Sequence, residues 1–556
     1  MSDSLVDAFF TQITQKPHTT ALTFLAADGA EEPVTRERLH QDALRTASAL
    51  KARGIEAGDL VLLTFPPSYE LVGAFWGVLY RGAMPAILPS FDPRVGAAEY
   101  ARRVAATAVA SAARAVMTTP ELAETLREAL AGASVVIASD DIASSGVDRR
   151  AVTPGSATDI AYIQFSGGTT GLPKGVMLSH QAVLSSLSSV AEATEFTADS
   201  VSVGWLPLYH DMGLITQVLL PLMTGASSVL IPPAQWIRRP SLLLRAIHTY
   251  AGTMTWMPNF AFNHCVRHIE DDAIAGCSLR SWRLLGNGAE PVQWESMERF
   301  ARRFAPFGFD SRALRAGYGM AENVVGVSTT PPGSQLAGEW ISVVEAQEAN
   351  RALPVGPEAT AAQHIVNCGR PLRGTEVAIV GEDGRALPER QIGEVVVRGA
   401  SLFSGYYRQP ELTAGAMRDG WYHTGDLAYL ANGELYVYGR KEEMIIMGGH
   451  NVRPQEIERI AQAVLGEQSG LAAAFGVRDE DLGTELPAVG CELRSPLSAG
   501  ESRDLARKIR QRVLQELDVV LANVQLVERG WILTSSNGKV ARAANRRKYQ
   551  DVFQLV

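Results

Sequence analysis

The chain has 556 residues, of which 46% are apolar, 20% charged and 7% aromatic, with a formal net charge of −9. That length exceeds what one hydrophobic core supports and predicts roughly three to four domain-sized units. The composition excludes disordered and fibrous classes, and the mild acidity argues against nucleic acid as a partner, since no long basic face is needed.

The N-terminal MSDSLVDAFF has no basic region and reads as a helix start, not as a signal peptide. Residues 36–54 place Leu39, Ala43, Leu44, Ala47 and Leu50 at helical spacing and stop at Gly54. DLVLLTF at 59–65 is a buried-strand run, followed by a helix and MPAILP. Its apolar neighbour LVGAFWGVLY, 71–80, is too short to cross a bilayer, so no integral membrane segment is expected. Helices near 96–115 and 120–131 alternate with AVMTT and SVVIAS. Strand, helix, strand in repeated order predicts parallel sheets with crossover helices.

DIAYIQF then leads into FSGGTTGLPKG, 165–175, and a helical stretch HQAVLSSLSSVAEA follows. Glycine N–H groups, hydroxyls and a lysine suit an anion, but Lys174 follows Pro173, so the P-loop pattern of NTPases fails. Both a phosphate cradle and a plain surface loop fit this stretch by itself. His264 and His268 stand four apart without a following glutamate or a third ligand, so no zinc site is predicted. From about residue 376 the texture becomes strand-rich (TEVAIVGEDG, GEVVVRG, GELYVYGR), and after GRKEEM it becomes a compact mix of helices and strands. The four cysteines, Cys265, Cys277, Cys368 and Cys491, form no CxxC pair, which points to a reducing, cytoplasmic setting.

Six stretches in fixed order carry a resemblance: FSGGTTGLPKG, WLPLYHDMGL (205–214), GNGAEP (286–291), GYGMAEN (317–323), YHTGDLA (422–428) and GRKEEMIIMGGHNVRPQEIE (439–458), closed by the lysine of SSNGKVAR. Together they resemble the adenylate-forming superfamily of acyl-CoA synthetases, luciferases and peptide-synthetase adenylation domains. WLPLYHDMGL with GNGAEP is most similar to fatty acyl-AMP ligases. From Glu322 to Cys368 lie 46 positions, more than acyl-CoA synthetases usually use. The extra piece resembles the insertion by which those ligases restrain their C-terminal domain; a tolerated surface insertion is the other reading.

The resemblance implies an α/β fold. Residues 1–438 would form a large body of stacked mixed and parallel sheets, with a small β-rich subdomain at about 370–438. Residues 439–442 would be a hinge and 443–556 a small mobile α+β domain. It implies ATP and Mg2+ as cofactors, a fatty acid substrate, and a holo acyl carrier protein as acceptor, with coenzyme A as the alternative acceptor. Ser166, Gly167, Gly168, Thr169, Thr170 and Gly171 would wrap the β- and γ-phosphates, with Lys174 adding charge. Glu322 and Thr170 would hold magnesium. Tyr318 would stack on adenine, beside Gly319, Met320 and Ala321, with Gly288, Ala289 and Glu290 along the base edge. Asp426 would accept from the ribose hydroxyls and Arg440 would lie near ribose or phosphate. His210, with Met212 and Gly319, would stand between nucleotide and acyl channel, where a satisfied core histidine is the competing reading. Glu442 would be the pivot, in place of the usual Asp or Lys. Lys539 would bridge the attacking carboxylate and the α-phosphate. The basic ARAANRRKYQ is either a docking edge for an acidic carrier or a solvated face.

Overall fold

A computed structural model of the chain describes residues 3–25, 30–93, 95–143, 145–153, 155–166, 174–359, 361–447, 450–479, 484–517, 519–534 and 539–553. The chain divides into two compact units: Met1–Leu336 with Cys368–Glu376 and Arg398–Tyr422, and Ala337–Asn367 with Val377–Val397 and His423–Val556. The architecture is mixed α/β, as expected. The expected hinge, 439–442, lies inside the second unit.

In the first unit a nine-stranded sheet runs in the order 370–371, 326–329, 314–319, 284–287, 254–257, 201–204, 227–230, 20–25, 31–35. Its six middle strands, from 314–319 to 20–25, pair in parallel. A second, wholly parallel sheet orders 84–87, 60–63, 115–118 and 135–138. Leu60–Leu63 is buried at every residue, the pattern of parallel strands covered on both faces. The helix Arg36–Ala52 begins where Thr35 accepts from the Arg38 N–H, and it buries Leu39, Ala43, Leu44, Ala47 and Leu50, the stripe read from sequence. It packs on Tyr69–Tyr80, whose Trp76 and Tyr80 are fully buried; burying such side chains stabilises by about 1.5–3 kcal/mol each.

The glycine loop follows a strand and precedes the helix His180–Ala193, as read from sequence, with one addition. Lys174–Ser179 is itself a strand, antiparallel to Ile160–Ser166 with Ser166 opposite Lys174, and the helix His180–Ala193 begins only after it. Residues 167–173, between these two strands, lie outside the described residues.

In the second unit the extra piece is folded. Gly338–Ser342 pairs antiparallel with Ala362–Val366, around the helix Val343–Glu348. Ile341, Ala346 and Ile365 share a core with Tyr429, Tyr436, Tyr438 and Met444. Glu339 accepts from Arg390 at 2.9 Å and from the Tyr429 hydroxyl at 2.8 Å. Gln363 donates to Glu456 at 3.0 Å. Burial opposes the charge of Glu456, but Arg453 and Arg459 outweigh it and hold the carboxyl below its usual range. The C-terminal residues form a three-stranded sheet, 469–479, 484–493 and 523–527, backed by helices Pro454–Leu465 and Ala499–Leu517.

The YHD segment of the first unit is held by a backbone contact that admits no side chain. A Cβ on Gly213 would lie 2.2 Å from the Pro207 carbonyl oxygen. Gly213→Ala is expected to cost about 2 kcal/mol through overpacking, read as a lowered urea midpoint at unchanged slope.

Candidate active site

The parallel strands of the first unit end together, and the loops that leave those ends carry the sequence-predicted residues, as in open α/β sheets generally. Trp256, near the end of strand Met254–Met257, sets the local spacing. Its ring occupies the space a Cβ would need on Gly286, at 2.3 Å, and crowds Gly317, at 3.1 Å. Strands 284–287 and 314–319 thus carry glycine where the indole crosses them. Beyond them Gly288, Ala289 and Glu290 follow Asn287, which is fully buried and donates to Asn259 at 3.0 Å. Ala289 takes a left-handed φ of +67°, and Glu290 accepts from the Phe260 N–H at 3.1 Å. The Met212 sulfur stands 4.0 Å from where a Cβ on Gly288 would be. Met212 follows His210, whose Nδ1 lies 2.6 Å from the Asp211 carboxylate and accepts from the Met212 N–H at 3.2 Å. Gln164, buried on strand Ile160–Ser166, donates to the Tyr209 carbonyl and ties this segment to the hairpin. The helix then runs through a π-helical stretch, Ile215–Leu219, a distortion often found beside functional residues.

Strand Leu314–Gly319 ends in Tyr318 and Gly319, followed by Met320 and a short turn, Ala321–Asn323, that presents Glu322. The next residue, Val324, has φ +65° and ψ −56°, with the Val325 N–H on the Asn323 carbonyl at 2.7 Å. This is a strained γ-turn at a buried β-branched residue, with a cost of about 1–3 kcal/mol. Glu322 is held at side chain and backbone: the Tyr406 hydroxyl donates to its carboxylate at 2.7 Å and the Phe403 N–H to its carbonyl at 2.8 Å. The Tyr422 hydroxyl lies 3.3 Å from that of Tyr406. Burial, then the charge of Glu322, drives the Tyr422 phenol far above its usual range, so it stays protonated. The Lys174 ammonium lies 5.4 Å from the centre of the Tyr406 ring. Lys174, Tyr406, Tyr422 and Glu322 thus form one cluster. Sequence reasoning missed both tyrosines, although Tyr422 lies inside the YHTGD motif. The side chain of Ser166, and all of Gly167, Gly168, Thr169, Thr170 and Gly171, lie outside the described residues.

In the second unit Asp426 and Arg440 face each other across the hairpin 421–431/434–440, with the Arg440 Nε donating to Asp426 at 2.9 Å. Asp426 is 9% exposed. The Thr424 hydroxyl accepts from the Asp426 N–H at 3.0 Å and donates to the Val395 carbonyl at 2.8 Å. Glu394, which sequence reasoning missed, accepts from the Gly425 N–H at 3.1 Å and lies 3.8 Å from the Lys441 ammonium. Its signal was weak, a glutamate at a strand start in GEVVVRG. Glu442 is exposed in a short 3-10 turn, Lys441–Glu443. Lys539 is also exposed. Buried Asn545 braces the segment around it, accepting from the Leu533 N–H and donating to the Leu533 and Ala541 carbonyls at 2.8–2.9 Å. Three residues on, Arg542 binds Glu458 through two hydrogen bonds, 2.7 and 2.8 Å, and Glu443 through a third, 2.7 Å. Burial alone would lower the Arg542 guanidinium's pKa, but the two carboxylates raise it. Sequence reasoning took Arg542 for a docking or solvated residue; its side chain is 15% exposed and structural.

Among the described residues no group of three or more His, Cys, Asp or Glu could hold a metal ion. The single carboxylate of Glu322 is what a magnesium ion shared with substrate phosphates asks of a protein. No described helix is long and apolar enough to cross a membrane.

Residues 9–407 match the family described as AMP-binding enzyme. The chain is 32% identical over 515 residues to a medium-chain-fatty-acid–[acyl-carrier-protein] ligase of Moorena producens, covering 89% of this chain and 86% of that one. It is 30% identical over 524 residues to a putative acyl-CoA synthetase of Caulobacter vibrioides, covering 93% and 90%. A solved structure from work on fatty acyl-adenylate ligases of E. coli and L. pneumophila superposes with a TM-score of 0.90 at 28% identity, covering 100% of this chain and 99% of that one.

Arg542→Ala would strand the buried Glu458 charge and is expected to cost about 3–5 kcal/mol. Hydrogen exchange across residues 454–465 should report it, and adding Glu458→Gln should restore part of the loss.

Proposed function

The chain belongs to the AMP-binding enzyme family, and we propose that it joins a fatty acid to AMP from ATP, releases pyrophosphate, and passes the acyl group to the phosphopantetheine thiol of an acyl carrier protein. Both reactants of the first step are anions. The site must therefore neutralise charge and hold the attacking oxygen, phosphorus and leaving group in line.

Each residue has a task in this reading. Tyr318 stacks on adenine, with Gly288, Ala289 and Glu290 along the base edge and Gly319, Met320 and Ala321 beside it. Asp426 accepts from the ribose hydroxyls, and its bond to Arg440 fixes the carboxylate's orientation. Ser166 to Gly171 cradle the outer phosphates and Lys174 adds charge as pyrophosphate leaves. Glu322 and Thr170 would hold Mg2+, which neutralises phosphate oxygens when bound; Tyr406 orients the Glu322 carboxylate for this. His210 and Met212 border the acyl entrance beside Gly319. Lys539 meets the attacking carboxylate and the α-phosphate, stabilising charge that grows only in the transition state. Glu442 serves as the pivot that brings it there.

The observation that carries the choice of acceptor is the folded piece 337–367, which shares a core and the Gln363–Glu456 hydrogen bond with the C-terminal part of the second unit. Such an anchor supports a carrier-protein ligase, whose C-terminal domain is restrained. The second reading, an acyl-CoA ligase, is favoured by the wording MGGHNVRPQEIE and by the named acyl-CoA synthetase among the relatives.

Lys539→Ala is expected to lower fatty-acid-dependent ATP–pyrophosphate exchange by at least about a hundredfold, with ATP affinity little changed; undiminished exchange removes Lys539 from the chemistry. Given ATP, a fatty acid and both acceptors, the wild-type protein should acylate holo carrier protein. Rapid acyl-CoA formation with no acyl carrier product would select the second reading.

A further inference from the structure

At the opposite edge of the central sheet, where the same parallel strands begin, lies a cleft of about 280 Å³. Thr253 and Met254, Arg283 and Leu284, and Arg315 line it, each at the start of a strand that ends in the candidate active site. Strands of four to six residues separate the two edges, roughly 13–20 Å at the usual rise per residue.

The walls are rich in arginine. Arg280, Arg283, Arg312 and Arg315 line the cleft, against the two acids Glu195 and Asp310. Asp310 is already engaged by Arg312, at 2.6–3.1 Å through several hydrogen bonds. That leaves three guanidinium groups facing one carboxylate. Arg283 reaches the Ser200 hydroxyl at 3.3 Å. Arg315 is the anchor: only 2% exposed, it donates from Nη1 to the carbonyls of Arg312 and Leu314 at 2.7 and 2.6 Å. Its Nε is buried and has no hydrogen-bond partner among the described residues. Burial of this guanidinium lowers its pKa, and the nearby Glu195 charge offsets that cost only in part. Neutral backbone carbonyls orient it without cancelling its charge. An anion in the cleft would cancel it, and planar guanidinium forks match phosphate oxygens two at a time. The volume is roughly nine times the share of one water in liquid, more than a bare anion fills.

We propose that this cleft is a second binding site, for a small phosphate-bearing molecule, with Arg315 as the buried anchor and Arg280 and Arg283 as the exposed forks. It is distinct from the nucleotide end of the same sheet, and it stands whether or not the proposed acyl transfer is right.

The test is calorimetric titration of the full chain with two probes that lack adenine and ribose, inorganic phosphate and glycerol 3-phosphate. Wild type is compared with Arg280→Ala/Arg283→Ala, both exposed positions, after its urea midpoint is matched to wild type; Arg283→Gln replaces the pair if the midpoint falls. The expected result is a saturable component weakened roughly tenfold or more in the variant. Loss with inorganic phosphate identifies the anion alone as sufficient, and loss with glycerol 3-phosphate only identifies an organic phosphate; both support the site. Equal affinities of wild type and variant for each probe, or no saturable binding of either by wild type, overturn it.

Discussion

The packing of Trp256 across Gly286 and Gly317 is the constraint on which the candidate site depends. Parallel strands end at one edge by topology, but topology does not say how closely their ends approach. The indole occupies the volume that side chains on the adjacent strands would need, so those strands must carry glycine there. Their continuations, Gly288 to Glu290 and Tyr318 to Glu322, leave the sheet side by side. Gly286 of GNGAEP and Gly317 of GYGMAEN therefore read as steric requirements of one ring before they read as features of a nucleotide site, while Gly319 answers to the Val325 carbonyl oxygen, 1.8 Å from where its Cβ would be.

The same logic explains the strain beyond Glu322. A left-handed valine is costly, and it persists because Asn323, fully buried, and the surrounding strands fix the turn. Tyr406 and Tyr422 then complete the cage around the carboxylate. A side chain held by one phenolic donor, beside a second phenol kept protonated by burial and charge, has little orientational freedom left. Such a carboxylate is preorganised, as the proposed role of Glu322 beside a cation requires.

In the second unit the organising element is a set of charge-assisted hydrogen bonds. Arg542, three residues after Lys539, binds Glu458 in the helix Pro454–Leu465 and Glu443 in the turn Lys441–Glu443. The adenylating lysine of the proposed mechanism is itself exposed, while Arg542 and Asn545 after it are each held by several hydrogen bonds. The insertion extends this organisation by joining Glu339 to Arg390 and Gln363 to Glu456.

Motif order and helical spacing were legible in the sequence because they are local. Leu39, Ala43, Leu44 and the stop at Gly54 declare an amphipathic helix by spacing alone, and GYGMAEN or YHTGDLA carry their chemistry in consecutive letters. What depended on distant partners was not legible. Tyr406 stands 84 positions from the carboxylate it orients, Trp256 lies on a different strand from each glycine it requires, and Arg542 read as a surface charge until Glu458 and Glu443 came into contact with it. The insertion gave no sign, as a string, of sharing a core with Tyr429 and Tyr436. Sequence alone determined which elements form and which residue types stand ready for the chemistry, since those follow from propensity, period and short-range capping. Only the tertiary structure decided which of them are neutralised, strained or held, because burial and charge pairing are properties of neighbours in space.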